Sequence, residues 1–501
     1  MSPREIKERN LSFVPVMTAI FFGSVLATLG MSSISVAVPV LMEQFHTDLT
    51  AMQWTMTGYL LATGVVAPIT GYLGDKYSTK YLYIAALIGY TLISGLSAFA
   101  WNIESLIAFR ILQGIFGGMI LPATMTILYQ VIPREKQAFA LSMWTLSTML
   151  SPTFGPLLAG WLIGKFEWKW LFFMDIPFGI AAVAVAWRLI PYYKLNTPKT
   201  FDLPGLVTVI LSSGSLLIAF SEVHAWGWSS WRMLSLLAFG ILMLGCFIRR
   251  ELMIPEPLLN LKVFVNVKYT VSLAVLAVIT LNMYSGAFLI PVFLQNVQEV
   301  SALEVGLILF PATLAMAGVM PLVGKLYMRV APQWLIVSGI LLIAIGTFAI
   351  GRLNVNVSHG YIVMWLTIRY IGLSLTIMPL TNVGMEAIPR ELSGHASSVN
   401  NWIRQVFGSF SIALFTSLIA SRLTVHNQAL DLDGAAETGR KLLKAEAFTL
   451  SSNDVYIVAT MIVLVGFPLV WTLFRGKPRT ERVAGHKLRP IQNLTQKEQL
   501  K

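Results

Sequence analysis

The chain has 501 residues, of which 56% are apolar and 12% are charged, and its mean hydropathy is +0.70. A soluble globular domain carries about twice that charged fraction, so the composition excludes an ordinary soluble protein. The net charge of +12 comes from basic residues spread along loops, and we expect no nucleic-acid partner. The single cysteine, Cys246, excludes an internal disulfide framework and a cysteine metal site.

Apolar blocks of about 20 residues, enough to cross a ~30 Å hydrocarbon layer, recur along the chain. The first block, at about 13–40, is too long for a signal-peptide core and no small-residue cleavage site follows it, so we predict a retained helix. Fourteen blocks begin near residues 13, 50, 81, 104, 138, 168, 204, 231, 270, 301, 333, 360, 396 and 454. They predict an all-α integral membrane protein with fourteen transmembrane spans.

Lysine and arginine are unevenly divided between the two sides of this topology. If the N-terminus is cytoplasmic, inside segments carry 25 of them, outside segments carry 8, and three lie within spans, namely Arg110, Arg369 and Arg404. This excess fits the positive-inside rule with both termini cytoplasmic. The polar stretch at about 421–453 is then predicted to be the one large external loop.

A repeated tetrapeptide, IPRE, follows the fourth and the twelfth span, and its copies start 256 residues apart at Ile132 and Ile388. Each copy is preceded by a span that contains an arginine, Arg110 or Arg369. An offset of eight spans predicts two equivalent six-helix bundles separated by two inserted helices. Parallel repeats of this kind build transporters whose halves rock about a central site. The predicted N-terminus, first bundle, insert, second bundle and basic cytoplasmic tail lie at 1–12, 13–192, 200–252, 268–475 and 476–501.

Three stretches of the first half combine polar and small residues in distinctive patterns. GYLGDKYSTKY, from Gly71, ends with Asp75 at a helix C-terminus, where the dipole disfavours an anion unless a cation or a helix N-terminus is near. RILQGIFGG puts Arg110 inside a span, at a cost of about 3 kcal/mol on insertion scales. The Arg110 side chain either points inward, to a wet cavity or a carboxylate, or snorkels outward to the membrane surface. For Arg369 and Arg404 the inward and outward alternatives are equally open. SPTFGPLLAGWL, from Ser151, gives a smooth face for close helix packing.

These stretches resemble three motifs of drug-exporting major facilitator transporters: the loop between helices 2 and 3, the R-x-x-Q-G of helix 4 and the antiporter motif of helix 5. The residues that carry the resemblance are Gly71, Leu73, Asp75 and Lys80; Arg110, Gln113 and Gly114; and Pro152, Gly155, Pro156 and Gly160. Lys76, Ser78 and Thr79 stand where the loop motif usually has Arg, Gly and Arg, and Ala159 replaces a glycine of the antiporter motif.

The resemblance covers about residues 13–475 and is to the fourteen-helix drug:proton antiporters. It implies the major facilitator fold, a gate at the loop motif and a seal against leak at the antiporter motif. It also implies export of amphipathic, often cationic, organic compounds driven by proton entry, with no cofactor beyond the proton gradient. Two alternatives stay open: the same carrier moving an endogenous lipid or metabolite, and a membrane sensor or assembly subunit that transports nothing.

Proton coupling needs a membrane acid, and the usual position for it is vacant. The first span reads LGMSSISVAVP, so Gly30 occupies the place of the acid that the resembling family usually carries in helix 1. WKWLFFMDIPFG, from Trp168, has Asp175 where those exporters usually have Asn. A carboxyl removed from water favours its protonated form, as a proton carrier requires. Asp175, together with Arg110, is therefore the leading candidate, unless it is locked in an ion pair with Lys169 or Arg110.

Further acids and polar residues are weaker candidates for the transport pathway. Glu386 and Glu222 stand near span ends and either titrate or simply mark the boundary. Polar residues that could line the pathway are Asn400, Asn401, Arg404, Gln405 and Arg369. The six histidines show no metal-ligand spacing, and without Walker A, HExxH or GxSxG patterns we predict no enzyme. We expect a monomer in a bacterial plasma membrane that binds protons, a small amphipathic substrate and the bilayer, with any adaptor protein left open.

Overall fold

The computed structural model describes residues 13–47, 49–194, 200, 202–430 and 437–473, and every regular element in these ranges is helical. We label the fourteen longest helices in chain order. They are α1 (Phe13–Phe45), α2 (Leu49–Val66), α3 (Thr79–Ser97), α4 (Ile103–Val131), α5 (Arg134–Lys165), α6 (Asp175–Leu189), α7 (Leu203–Trp226), α8 (Trp231–Met253), α9 (Val267–Asn296), α10 (Ala302–Tyr327), α11 (Pro332–Ile350), α12 (His359–Glu386), α13 (Ser393–Ala429) and α14 (Glu437–Leu473).

Short helical pieces extend some of these helices. A 3₁₀ turn that contains Pro68 joins α2 to the helix Thr70–Tyr77, because proline removes a backbone donor and tightens the chain there. The helix Trp170–Phe173 leads into α6. Two further 3₁₀ turns, Leu261–Val265 and Arg390–Leu392, precede α9 and α13.

Twelve helices of the described chain are long and apolar enough to cross a membrane, and α3 and α5 are not among them. The predicted all-α, multi-pass architecture is confirmed, whereas the number of fourteen transmembrane spans remains a prediction. The N-terminus at 1–12 and the tail at 476–501 lie outside the described residues.

The helices pack in two groups that meet along a long interface. In the first, α1 packs on α5 and α6, and α4 packs on α2 and α3. In the second, α9 contacts α12, α13 and α14, and α12 packs on α10 and α11. Across the interface, α5 packs along α10, and α13 contacts α4 and the Thr70–Tyr77 helix. The pair α7 and α8 attaches through α7, which contacts both α2 and α13.

The stretch at about 421–453, predicted to be the one large external loop, is largely helical, because α13 continues to Ala429 and α14 begins at Glu437; its external position stays a prediction. Its alanine, leucine, lysine and glutamate residues are strong helix formers, and their polarity argues against a membrane span but not against a helix. Asp454 fastens the two extensions together: its Oδ2 lies 2.9 Å from His426 Nε2 and 3.5 Å from Arg422 Nε.

Candidate functional site

Asp175 begins α6 and is 1% exposed. The helix can start here because Pro177, two residues on, occupies the first turn, where its missing N–H costs nothing. Asp175 Oδ2 accepts hydrogen bonds from Ser94 Oγ of α3 at 2.9 Å and from Gln113 Nε2 of α4 at 3.5 Å. Oδ1 is buried without a partner among the described residues. Oδ2 therefore accepts two hydrogen bonds, whereas Oδ1 accepts none from the described residues.

Arg110 lies in α4 and is fully buried beside this carboxyl group. Its Nη1 donates to Gln113 Oε1 at 2.6 Å, its Nε donates to the Thr55 carbonyl at 3.2 Å, and its guanidinium stacks 4.4 Å from the Tyr59 ring centre. Arg110 and Gln113 are three residues apart and so share one helix face. The Gln113 amide thus bridges the cation to Asp175, and the outward-snorkelling alternative for Arg110 is wrong because these acceptors lie inside the protein.

The ion-pair alternative between Asp175 and Lys169 is also wrong. Lys169 Nζ lies 3.4 Å from Glu167 Oε2, and both side chains are largely exposed. A lysine at the membrane surface keeps its ammonium in water, where hydration is most favourable.

Gly30 of α1 faces the same carboxyl group. A β-carbon on Gly30 would stand 3.2 Å from Asp175 Oδ2 and would overlap the Tyr90 hydroxyl. The helix-1 position that carries an acid in the resembling family therefore has no free space for a side chain here, because the Tyr90 hydroxyl and the Asp175 carboxyl group already fill it.

The glycines of the fourth-helix motif allow α4 to approach α2 closely. A β-carbon on Gly114 would stand 2.5 Å from the Tyr59 carbonyl oxygen, and one on Gly118 would stand 2.7 Å from Thr63 Cα. Both contacts are with backbone atoms, which cannot move aside as a flexible side chain would. These glycines hold Tyr59 of α2 against Arg110.

Arg369 repeats the buried arginine in the second group of helices. Its Nε donates to Thr347 Oγ1 at 3.2 Å, and its Nη2 donates to Asn282 and Ser285 of α9. These inward acceptors make the outward-snorkelling alternative wrong for Arg369 as well. A methyl group on Gly286, which lies 256 residues after Gly30, would overlap Arg369 Nη1. The described partners of Arg369 are amide, carbonyl and hydroxyl oxygens. Among them there is no carboxyl group that would correspond to Asp175 beside Arg110.

The loop motif joins the two groups of helices at one end of the bundle. Asp75 is buried, and its Oδ2 lies 3.4 Å from His395 Nε2, near the start of α13. The Gly71 N–H donates to Ser398 Oγ at 2.9 Å, and a β-carbon on Gly71 would stand 2.9 Å from the Gly394 carbonyl carbon. Asp75 thus meets both a side chain that can donate and a helix N-terminus, the two partners that its position requires.

The remaining residues of the loop motif shape the turn that follows. Ser78 has φ +82°, a left-handed conformation that favours glycine, which the resembling family carries there. Its hydroxyl donates to the Tyr193 carbonyl at 2.7 Å and so helps to hold the strained turn. Lys80 Nζ donates to the Trp187 carbonyl at 2.8 Å, and Lys76 Nζ lies 5.8 Å and 5.5 Å from the ring centres of Tyr72 and Tyr77.

Ser151, which directly precedes the antiporter motif, lies on the face of α5 that packs against α1. Ser151 Oγ donates to the Val25 carbonyl at 3.0 Å and accepts from Thr28 Oγ1 at 2.8 Å, and Gly155 is buried. The side-chain surroundings of Pro152, Pro156 and Gly160 lie outside the described structure.

The polar candidates of α13 bond to different parts of the structure. Asn400 Nδ2 donates to the Ala396 carbonyl at 3.1 Å and also to the Tyr269 hydroxyl of α9 at 3.4 Å, whereas Asn401 Nδ2 donates to the Ser397 carbonyl of its own helix at 2.9 Å. In contrast, Arg404 Nη2 donates to Thr381 Oγ1 of α12 at 3.4 Å, so Arg404 also points inward rather than snorkelling. Gln405 Nε2 donates to Thr63 Oγ1 of α2 at 3.2 Å, which joins the two groups of helices.

The two weaker acid candidates lie apart from Asp175. Glu386 ends α12, where its carboxylate accepts from Asn382 Nδ2 at 2.9 Å and from the Tyr327 hydroxyl at 3.3 Å. The Tyr129 hydroxyl of α4 donates to Asn382 Oδ1 at 3.1 Å, so this cluster also spans both groups. Glu222 lies near the end of α7, half-buried, and no described bond links it to the other acids.

Several residues of these sites were not predicted from the sequence, notably Ser94, Tyr59, Tyr90 and His395. Serine and tyrosine are common in membrane helices, and no motif marks the first three. His395 directly follows the SG of the second IPRE region, but its partner Asp75 is 320 residues away, a separation at which sequence spacing gives no signal.

The sequence profile of the Major Facilitator Superfamily matches residues 20–412. The chain is 30% identical over 477 residues to the uncharacterized MFS-type transporter YcnB of Bacillus subtilis, covering 95% of this chain and 98% of that protein. It is 28% identical to the tetracenomycin C resistance and export protein of Streptomyces glaucescens, covering 82% and 76% of the two chains. It is 25% identical to the lincomycin resistance protein LmrB of Listeria monocytogenes, covering 93% and 97%.

Two solved structures share the fold. The human organic anion transporter MFSD10 superposes with a TM-score of 0.62 at 12% identity, covering 90% of this chain and 99% of that one. The proton:xylose symporter XylE superposes with a TM-score of 0.62 at 11% identity, covering 92% and 95%. The family match and these relatives confirm the predictions of a transporter rather than an enzyme and of a multi-pass membrane protein. The chain belongs to the major facilitator superfamily.

Proposed function

We propose that the protein is a proton-coupled antiporter that exports amphipathic organic compounds across the plasma membrane. Two halves, at about 13–192 and 268–475, rock about a central site, with the helices at about 200–252 inserted between them. Both termini are cytoplasmic, as the excess of lysine and arginine in the corresponding loops favours. Relatives named for tetracenomycin C export and for lincomycin resistance support an exported organic substrate.

The observation that carries this proposal is the Asp175 carboxyl group beside Gly30. An ionised carboxylate there is stabilised by the Ser94 and Gln113 donors and, through Gln113, by the charge of Arg110. A protonated carboxyl places a neutral group in the same dry setting, where burial disfavours a charge on the unsatisfied Oδ1. Both protonation states are thus provided for, as a group that takes up and releases a proton in each cycle requires.

Arg110 and Gln113 act on Asp175 rather than on the substrate in this proposal. Arg110 is fully buried, and its bonds to the Thr55 carbonyl and to Gln113 fix its charge in place. A fixed cation favours proton release from Asp175 once water reaches the site. Each proton that moves inward releases about 2.3 kcal/mol per 100 mV, plus the contribution of the pH gradient.

The contacts around Asp75 form the proposed inner gate. Asp75 with His395, and Gly71 with Ser398, join the halves at the predicted cytoplasmic end. Glu386 and Tyr129, linked through Asn382, add a second contact at the same end. These contacts break when the halves rock to open that end, so they set the balance between outward-facing and inward-facing states.

The other candidates have supporting roles in this scheme. The packing of α5 on α1 at Ser151 and Gly155 seals the first half, as proposed for the antiporter motif. The substrate passes between the halves, where α13 presents four polar residues. Arg404 and Gln405 contact Thr381 and Thr63 there, and Asn400 and Asn401 lie next to them on the same helix. We propose that Arg369 braces the second half and that Glu222 marks a helix boundary.

The direct test is transport by the purified protein in proteoliposomes with an imposed pH gradient. A panel of cationic dyes such as ethidium, neutral aromatic drugs, and lipids or metabolites would be offered in parallel. We expect at least one amphipathic organic compound to move against proton flow and to stop when a protonophore collapses the gradient. Movement confined to a lipid or metabolite would favour the endogenous-substrate alternative, and no gradient-dependent movement of any compound would contradict the proposal.

A further inference from the structure

A cavity of about 810 Å³ opens at the predicted cytoplasmic end, beside Glu386 and apart from Asp175. It is lined by Arg134 at the start of α5, by residues 265–268 at the start of α9, and by residues 386–391, which join α12 to α13. Both copies of the IPRE tetrapeptide contribute, so we call it the IPRE cleft. Because α5 belongs to one group of helices and α9 and α12 to the other, the cleft bridges the two halves.

The charges of the IPRE cleft favour an anionic group. Its wall carries three cationic side chains, Arg134, Lys268 and Arg390, and two carboxylates, Glu386 and Glu391. Glu386 is already engaged by Asn382 Nδ2 and the Tyr327 hydroxyl, which turn its charge toward the protein. The charged wall residues thus leave an excess of one positive charge, and a single phosphodiester would balance it.

The position of the cleft favours a lipid over a soluble anion. All three cations lie at helix ends or in the connection between helices, and the end of a membrane-spanning helix is where phospholipid headgroups are expected. Two aliphatic side chains of the same wall, Val265 and Val267, are 79% and 70% exposed. Apolar side chains next to a basic pocket match a ligand whose charged head is joined to hydrocarbon chains.

The chain's own tail fits the cleft poorly. After Phe474 it carries eight lysine and arginine residues but only two glutamates, so a net positive cleft repels it. A free phosphate ester shares the headgroup chemistry but makes no use of the exposed valines. A phospholipid offers both an anionic headgroup to the cations and hydrocarbon chains to the exposed valines.

We propose that the IPRE cleft binds the phosphodiester headgroup of an anionic phospholipid, with its acyl chains against Val265 and Val267. Arg134 holds the headgroup from the first half, and Lys268 and Arg390 hold it from the second. A bound lipid therefore ties the halves together at this end. The binding itself does not depend on the transported substrate or on proton coupling.

The test is lipid retention by the purified full-length protein, measured by native mass spectrometry after exchange into detergent with phosphatidylglycerol or phosphatidylcholine. We expect preferential retention of phosphatidylglycerol, and a loss of about thirty-fold in that preference for the double variant Arg134→Gln/Lys268→Gln, since two cation–headgroup interactions are removed. Lys325→Gln/Arg329→Gln is the matched control, because it removes the same charge from exposed positions at the same predicted face.

A second double variant, Arg134→Lys/Lys268→Arg, keeps the charges and should keep the lipid, which separates loss of binding from loss of folding. Excess glycerol 3-phosphate should not displace the lipid. Equal retention of phosphatidylcholine, or unchanged phosphatidylglycerol retention in the double glutamine variant, would overturn the proposal, and so would displacement by glycerol 3-phosphate. This experiment measures lipid binding and not transport. Its result is therefore independent of whether the proposed antiport activity is found.

Discussion

His395 of α13 and Asp75, near the end of the Thr70–Tyr77 helix, meet across the interface between the two groups of helices, with Nε2 3.4 Å from Oδ2. His395 Nδ1 accepts a hydrogen bond from the Asn260 N–H at 3.3 Å. A neutral imidazole that accepts at Nδ1 carries its hydrogen on Nε2, the nitrogen that faces the Asp75 carboxylate. This buried contact is satisfied without a charge on the histidine.

We expect His395→Ala to weaken the inner gate and to raise the population of states open at that end. The substitution removes the imidazole that lies 3.4 Å from the buried Asp75 carboxylate, and loss of one buried polar contact costs about 1–3 kcal/mol. Spin labels at the exposed positions Lys136 and Lys325 would report the separation of α5 and α10. The variant should add a longer distance to the distribution. His426→Ala, at the opposite end, is the matched control, and identical distributions in all three proteins would refute the gate.

A large side chain at Gly30 should displace Asp175. The side chain of Gly30→Leu would enter the space between Tyr90 and the Asp175 carboxyl group. Overpacking of this kind costs about 1–3 kcal/mol, so we expect a lower unfolding temperature and loss of proton-driven transport. Gly245→Leu is the control, since nothing lies within 4 Å of a β-carbon on Gly245. If Gly30→Leu matched that control in both measurements, the packing of Asp175 against α1 would be ruled out.

The Gln113 bridge can be tested by removing its polar atoms. Gln113→Leu takes a donor from Asp175 and an acceptor from Arg110 while keeping a similar volume. Loss of one such buried bond costs about 1–3 kcal/mol, so coupled transport should fall about tenfold or more. The initial rate of proton-driven efflux in proteoliposomes measures this, with Gln44→Leu at the exposed end of α1 as the control. Equal rates in the two variants would show that Gln113 does not link the two charges.

The sequence predicted the helices well because membrane spans impose long apolar blocks, which local composition reveals. It did not predict that polar helices continue beyond the apolar blocks at about 421–453, since polar residues argue against a membrane span but not against a helix. The packing of α5 along α10 could not be inferred from the sequence, since it depends on how the two halves are oriented relative to each other.

The site was predictable only where a motif marked it. Arg110 and Asp175 stood out because a charge inside an apolar span is rare and costly. The Ser94 donor and the closeness of Gly30 to Asp175 depend on how α1, α3 and α6 are rotated about their axes. An apolar block of nearly uniform hydrophobicity gives little indication of that rotation. His395 was missed for a related reason, because its partner belongs to the other half of the chain.

The proposed proton coupling depends on the Asp175 carboxyl group. A substitution at Gly30 tests whether a carboxyl group on α1 can replace it. Asp175→Asn keeps the shape and the Ser94 contact but cannot take up a proton, so coupled transport should be lost while the protein remains in the membrane. Adding Gly30→Asp would place a β-carbon 3.2 Å from the present Asp175 Oδ2 and bring a carboxyl group from α1 beside it, at the cost of shifting the Tyr90 hydroxyl, which that β-carbon would overlap. We expect the double variant to regain part of the coupled rate. Glu104→Gln, an exposed acid in the first turn of α4, controls for loss of a carboxylate elsewhere.

The most direct measurement is proton-driven efflux from proteoliposomes that contain wild-type protein, Asp175→Asn or Asp175→Asn with Gly30→Asp, under one imposed pH gradient. The account predicts efflux for the wild type, none above the empty-liposome rate for Asp175→Asn, and partial recovery for the double variant. Full gradient-dependent efflux by Asp175→Asn would contradict the claim that this carboxyl group couples protons to transport.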